Sequence, residues 1–99
     1  MWYAIRCYDR RDSLALRRER RPQHLARLAA LRDAGRLLTA GALPAIDTPN
    51  PGAAGFVGSL IIAEFESLAV AESWIAADPF VLCGVYERTV VDPYVQGMP

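Results

Sequence analysis

The amino-acid sequence predicts an α+β fold in which an antiparallel four-stranded sheet carries two helices on one face. Four short segments rich in aromatic and β-branched residues are interspersed with two segments of helical spacing, and the order along the chain is β-α-β-β-α-β. The chain has 99 residues, which is the length of one small domain. We therefore expect residues 1–99 to form a single domain.

The first strand is predicted at residues 2–8, where "WYAIRCY" is aromatic and rich in strand-forming residues. The segment "DRRDS" follows, and either Asp12 or Ser13 can cap the start of a helix. After that helix, "RLLTAGAL" predicts a second strand at residues 36–43.

The first helix contains a proline. The segment "SLALRRERRPQHLARLAALRDAG" has helical spacing throughout, but Pro22 lacks an amide hydrogen and disfavours helical geometry at Arg21. We expect a break or kink there, followed by a helix at residues 22–34. Gly35 can adopt the left-handed conformation that ends many helices.

The second half of the chain begins with a loop at residues 44–55, which holds three prolines and two glycines. "FVGSLIIAEFE" predicts the third strand at residues 56–66, and "SLAVAESWIAAD" predicts a helix at residues 67–78. Pro79 ends this helix, and "VYERTVV" predicts the fourth strand at residues 85–91. A loop as long as 44–55 could close over a site.

This order is that of a ferredoxin-like domain, whose two helices cover only one face of the sheet. Alternation along the third strand places apolar side chains on both faces. One face would carry Val57, Ser59, Ile61, Ala63 and Phe65, and the other Phe56, Leu60 and Ile62 before Glu64. A bare apolar sheet is unusual on a monomer, so we expect a homodimer in which two copies stack sheet against sheet.

The composition argues against several classes of function. Acidic and basic residues number 11 each, so no net charge would attract nucleic acid or an anionic membrane. No apolar run is long enough to span a membrane, and the start of the chain does not resemble a signal peptide, so we expect a soluble, cytoplasmic protein. Cys7 and Cys83 are far apart and lie among apolar residues, which indicates buried free thiols rather than a disulfide or a zinc site.

His24 is the only histidine in the chain. At about 100° per residue it shares the apolar stripe of its helix with Leu28 and Leu31 and therefore faces the sheet. One interpretation is a core histidine with one ring nitrogen hydrogen-bonded. The other is an acid–base group in a pocket, which would need an orienting carboxylate.

Asp78 is the acidic residue best placed to orient His24. Leu68, Ala71 and Ile75 form one stripe of the second predicted helix, and three further residues bring Asp78 to the same side at the helix end. The alternative is a turn aspartate that caps the backbone before Pro79.

Several stretches together closely resemble the YciI-like (YCII-related) protein family, and the match covers almost the whole chain. They are "RPQHLARL", "GRLLTAGALPA", "NPGAAGFVGS", "IAEFESLAVAESWIAADPF" and "GVYERTVVDPY". The marks are an Arg-Pro-x-His helix start, a Gly-rich turn after strand two, a Gly-Ser in strand three and an Asp-Pro after helix two. They correspond to Arg21 to His24, Gly41, Gly58-Ser59 and Asp78-Pro79.

The resemblance implies a ferredoxin-like fold that dimerises into an α+β barrel, with an active-site cleft where His24 and Asp78 meet. The family is similar in architecture to muconolactone isomerases, cofactor-free monooxygenases and dehydrochlorinases. Our first hypothesis is a small-molecule enzyme without cofactor or metal, of isomerase or lyase type, in which His24 moves a proton and Asp78 fixes its tautomer. Arg21 could bind a substrate carboxylate or phenolate, Ser59 could donate a hydrogen bond, and Gly41 would line the substrate site.

A second hypothesis is a non-catalytic, small-molecule-binding or stress-related dimer in which the His24–Asp78 pair is structural. Metal-dependent hydrolysis is a third and poor option, because a single histidine without a cluster falls short of the usual zinc ligand set.

Overall fold

A computed structural model describes all of residues 1–99 and confirms the α+β fold. The strands form one antiparallel sheet in the order β2-β3-β1-β4. The elements are β1 (Trp2–Asp9), α1 (Leu14–Asp33), β2 (Leu37–Pro44), β3 (Phe56–Glu64), α2 (Leu68–Ala76), α3 (Pro79–Leu82) and β4 (Tyr86–Tyr94). A short 3-10 turn at Gly52–Ala54 lies within the predicted loop.

The expected break in the first helix is wrong, because α1 runs through Pro22 as one helix of 20 residues. The residues that α1 buries lie on one face on both sides of the proline: Arg17 before it, and His24, Leu28 and Leu31 after it. Packing of this face on the sheet outweighs the single backbone hydrogen bond that the proline removes.

Gly35 ends α1 as predicted. Its φ is 71°, a left-handed conformation that glycine adopts without steric strain. The amide of Gly35 donates to the carbonyl of Arg32 at 3.0 Å, and that of Arg36 donates to the carbonyl of Leu31 at 2.8 Å. These two bonds form the Schellman motif, which satisfies carbonyls that the helix end would leave free.

The helix predicted at residues 67–78 is too long, and a third helix was missed. Helix α2 ends at Ala76, and α3 begins at Pro79, which is compatible with a first helical position because that position needs no amide donor. Asp78 between them is extended, with φ −66° and ψ 139°, and caps α3. Ser67 caps α2 as predicted, accepting a hydrogen bond from the amide of Val70.

The core lies between the sheet and the helices. It contains apolar side chains of β1, β3, α1, α2 and α3, among them Ile5, Cys7, Ile61, Leu28, Leu31, Ile75 and Phe80. Cys7 is fully buried as predicted, whereas Cys83, which ends α3, is only half-buried. None of the helices combines the length and the apolar character that a bilayer crossing requires.

The sheet face away from the helices is less apolar than β3 alone predicts. Leu60 is 37% exposed there, while Ile62 is buried. The register adds Arg6 and Arg88, whose guanidinium groups lie 4.0 and 4.2 Å from the ring centroid of Tyr8. This outer face therefore combines apolar and cationic side chains.

Candidate active site

His24 and Asp78 are in direct contact in the interior. The Nδ1 atom of His24 lies 2.9 and 3.0 Å from the two carboxylate oxygens of Asp78. His24 projects from α1, and Asp78 stands at the amino-terminal cap of α3, where the amide of Phe80 donates to its Oδ1 at 2.9 Å. Asp78 thus takes both roles considered from the sequence, since it caps a helix and contacts the imidazole.

The surroundings of His24 determine which nitrogen is available. A carboxylate beside Nδ1 favours the tautomer with the proton on Nδ1, which leaves the lone pair on Nε2. Nε2 has no hydrogen-bond partner in the chain and is not enclosed. The ring stacks on Phe80 with centroids 4.3 Å apart, and Tyr86 meets it edge-on at 6.1 Å. The imidazole is therefore held in one orientation.

Arg27 completes the surroundings of Asp78. Its Nη1 donates to Asp78 Oδ2 at 3.1 Å, and its Nη2 donates to the carbonyl of Trp74 at 2.7 Å. The guanidinium lies 4.3 Å from the centre of the Trp74 ring. Because Asp78 is fully buried, this cation offsets the cost of a carboxylate away from water.

A cavity of about 120 Å³ lies between α1 and the adjoining strands β2 and β3, and we call it the α1 cavity. Four of the five site residues predicted from the sequence line it: Arg21, His24, Gly41 and Ser59. The other lining residues are Arg17, Leu25, Leu28, Ala40, Ala42 and Ile61. Asp78 does not line the cavity and stands behind His24. The fold therefore brings all five predicted residues to one place.

Gly41 lies inside β2 rather than in a turn after that strand, which corrects the expectation drawn from the resemblance. A Cβ atom built at this position would meet no atom within 4 Å, so steric crowding in the chain does not require glycine. Loop residues 45–55 do not line the α1 cavity.

Sequence reasoning missed a second polar network, centred on Arg17 and Ser59. Arg17 Nη2 donates to Ser59 Oγ at 2.7 Å and to the carbonyl of Gly58 at 3.1 Å, and its Nε donates to Asp9 Oδ2 at 2.8 Å. The hydroxyl of Tyr86 donates to Ser59 Oγ at 2.7 Å. Arg17 precedes His24 by seven residues, two helical turns, so helical spacing places it on the same face, but the spacing does not show that this arginine is buried.

Burial controls the ionisation of three groups around this network. It raises the pKa of Asp9 although Arg17 acts in the opposite direction, and Asp9 Oδ1 is buried without a partner. It raises the pKa of Cys7 to about 12, with Asp78 adding to the shift. It also raises the pKa of Tyr86, which therefore stays a neutral hydroxyl near pH 7. No group of three or more His, Cys, Asp or Glu side chains is arranged to hold a metal ion.

The chain is similar to known proteins in sequence and in fold. The model of the YCII-related domain matches residues 1–94. The chain is 57% identical over 94 residues to Protein YciI of Escherichia coli O6:H1, and 50% identical over 94 residues to an uncharacterized protein of Haemophilus influenzae. Each match covers 95% of this chain and 96% of the relative.

One solved structure with a similar fold is the 5-chloro-2-hydroxyhydroquinone dehydrochlorinase TftG of Burkholderia phenoliruptrix AC1100, in complex with 2,5-dihydroxybenzoquinone. Its TM-score is 0.85 at 28% identity, and the match covers 98% of this chain and 96% of that chain. The likeness thus extends over the full fold and includes the elements that form the α1 cavity.

Proposed function

The chain belongs to the YCII-related domain family, and from this membership and the α1 cavity we propose that it is a cofactor-independent enzyme that moves a proton on a small cyclic or aromatic substrate. The observation that carries the proposal is the buried contact of His24 Nδ1 with Asp78, which leaves Nε2 free in a protein whose only histidine lines a cavity. A buried carboxylate, an oriented imidazole and a cavity are the components of general acid–base catalysis.

The proposed chemistry uses Nε2 as the base. It removes a proton from a carbon next to a carbonyl group, and the C–H electron pair forms a carbon–carbon double bond while the carbonyl electrons move to oxygen. Asp78 stabilises the resulting imidazolium. The imidazolium then returns the proton to another carbon, which is isomerisation. In elimination, which in a halogenated hydroquinone starts from the keto tautomer, the enolate electrons expel the halide as the carbonyl re-forms, and the imidazolium passes its proton to water.

The size of the site supports a small substrate. A cavity of about 150 Å³ can hold benzene, and the α1 cavity at about 120 Å³ is of similar size. The ligand in the TftG structure also has a single ring. Arg21 and Ser59 line the cavity and would bind oxygen atoms of the substrate, and Gly41 leaves room beside them.

We also propose that the active form is a homodimer in which the outer sheet face packs on a second copy. Leu60 on this face is 37% exposed, and the neighbouring Arg6 and Arg88 offer cationic groups to a partner. Burial of apolar surface in such a stack would stabilise the pair. Light scattering together with size-exclusion chromatography would give twice the mass of the 10.9 kDa chain.

The test of the enzymatic proposal measures chloride release from 5-chloro-2-hydroxyhydroquinone, and deuterium uptake from D₂O into a panel of single-ring lactones by NMR. We expect the wild type to be active on at least one compound. His24→Gln, which lacks the imidazole, should lose about 10²- to 10⁴-fold in rate. Arg32→Gln at an exposed position serves as the control and should keep the activity. Equal rates in the wild type and His24→Gln would refute the role of His24.

The second candidate is a non-catalytic binding protein in which the pair is structural. It is favoured by the use of Asp78 to cap α3 and to bind Arg27, since these contacts would stabilise the fold without any reaction. In that case the panel would show ligand binding in both proteins and turnover in neither.

A further inference from the structure

Arg17 has hydrogen-bond donors that the fold does not use. Its Nε and Nη2 are engaged by Asp9, Gly58 and Ser59, whereas Nη1 makes no hydrogen bond within the chain. Nη1 is not fully buried. Only one side-chain polar atom of the protein, Asp9 Oδ1, is both fully buried and without a hydrogen-bond partner, so the unpartnered Nη1 keeps some exposed surface. Arg17 is only 6% exposed and lines the α1 cavity. A guanidinium N–H₂ group is therefore available at the cavity wall.

Ser59 also has one donor to offer. Its oxygen accepts from Arg17 Nη2 and from the hydroxyl of Tyr86, both at 2.7 Å. A serine oxygen has two lone pairs and one hydrogen. Because both lone pairs are occupied, the hydroxyl hydrogen of Ser59 has no acceptor within this network and is free to point into the cavity that Ser59 lines.

The charges around the cavity favour a negative ligand. Arg17 and Arg21 line it, and none of its lining residues is acidic. Asp9 contacts Arg17 and Asp78 contacts His24, but neither carboxylate lines the cavity. The Phe56 and Phe80 rings lie 5.0 and 5.1 Å from the Arg17 guanidinium and limit its movement.

We propose that Arg17 Nη1 and the hydroxyl of Ser59 form an oxyanion subsite, with Tyr86 and Asp9 as positioning residues, so that the substrate carries a phenolate or enolate oxygen. The inference deepens the proposed function, because the same subsite would stabilise the oxygen that becomes negative when His24 removes a proton. Donors held in place before the reaction stabilise such charge without reorganisation.

The experiment uses 4-nitrophenolate as the probe and 4-nitroanisole, which has no ionisable oxygen, as the matched neutral probe. Binding of each to the full-length protein is measured by absorbance and calorimetry above the pH at which the phenol ionises. We expect the wild type to bind the phenolate more tightly than the anisole. Ser59→Ala should weaken phenolate binding about 10-fold, as loss of a hydrogen bond to a charged group predicts, and should leave anisole binding unchanged.

Two further variants separate positioning from folding. Tyr86→Phe keeps the ring that packs on Phe80 and removes only the hydroxyl, so it should weaken phenolate binding several-fold and leave anisole binding unchanged, while Tm falls only by what the loss of one buried neutral hydrogen bond predicts. Arg17→Lys keeps the charge but loses the fork of donors and should weaken binding more than Arg18→Lys at the exposed neighbouring position.

Each outcome separates the subsite from the proposed reaction. Phenolate binding that depends on Ser59, together with no turnover of the panel by the wild type, supports the subsite and refutes the enzyme. If turnover depends on His24 but Ser59→Ala and Arg17→Lys bind the phenolate as tightly as the wild type, the subsite is refuted and the proposed reaction is still supported. Absence of phenolate binding by the wild type also overturns the subsite.

Discussion

Asp78→Asn is the substitution that tests the most contacts of the site at once. In this variant the single side-chain oxygen can still accept from the backbone N–H of Phe80, so the cap of α3 is retained. The amide nitrogen that replaces the other oxygen cannot accept from Arg27, whose Nη1 is 3.1 Å from Asp78 Oδ2. It also cannot accept from His24 Nδ1. The variant therefore loses a buried ion pair and one of the two oxygens that lie within hydrogen-bond distance of His24 Nδ1, and the remaining oxygen is shared with the Phe80 amide.

The expected loss of stability follows from these contacts. A hydrogen bond to a charged group contributes about 1.5–3 kcal/mol. The Arg27 side chain is 25% exposed, so water screens part of its attraction to Asp78, and we expect a loss of about 2 kcal/mol in the free energy of unfolding. For a chain of this size, such a loss lowers Tm by about 8–16 °C.

The same variant should change the chemistry of the imidazole. With an amide N–H₂ group facing Nδ1, the proton moves to Nε2, and the lone pair no longer faces the α1 cavity. An Asp-to-Asn change behind a catalytic histidine can lower the rate by about 10⁴-fold through this change of tautomer. We expect a loss of similar size here.

Three measurements check this prediction: thermal unfolding followed by circular dichroism, the turnover assay, and the ¹⁵N spectrum of the single imidazole, which identifies the protonated nitrogen. Asp33→Asn is the control, because Asp33 pairs with Arg32 at a site where both side chains are about 70% exposed; it should change stability by less than about 0.5 kcal/mol. Retention of the Nδ1–H tautomer and of wild-type Tm in Asp78→Asn would refute the reasoning. Lower stability alone does not exclude catalysis, because Asp78 also holds Arg27 and α3.

Three other predictions test the surroundings of the site. Cys7, whose pKa is raised to about 12, should not react with a thiol reagent at pH 8 in the folded protein, whereas the half-buried Cys83 should react; mass spectrometry after partial labelling distinguishes them. The raised pKa of Asp9 favours its protonated form in the fold, so the wild type should gain stability relative to Asp9→Asn as pH falls from 7 toward 4; equal slopes in urea titrations across that range would contradict this. Pro22→Ala restores an amide donor for the carbonyl of Arg18 and should raise the free energy of unfolding by about 1–3 kcal/mol, whereas an unchanged or lower midpoint in urea would count against it.

The strands and the orientation of His24 could be predicted because burial imposes a period on the sequence. His24 lies one helical turn before Leu28, so a helix that packs Leu28 on the sheet also turns His24 inward. Asp78 could be placed at a helix end for the same reason. Its pairing with His24 was predicted too, but Asp78 makes that contact from the extended residue before α3 rather than from the end of α2.

The remaining errors have physical causes that a single sequence does not reveal. Arg17 belongs to a run of arginines, and local sequence does not separate a buried arginine from solvated ones until Asp9 is placed opposite it by β1. Pro22 weakens a helix locally, but burial on both sides holds the helix together. Local propensity predicted the break, and tertiary packing prevented it.

The continuity of α1 also matters for the site. Arg17 and His24 project from the same face of one helix, and seven residues separate them by about 10 Å along its axis. A carboxylate from another element orients each of them, Asp9 from β1 for Arg17 and Asp78 before α3 for His24. A break at Pro22 would let the two groups move independently, whereas a continuous helix fixes the distance between the proposed base and the proposed oxyanion subsite. Preorganisation of this kind is what differential stabilisation of a transition state requires.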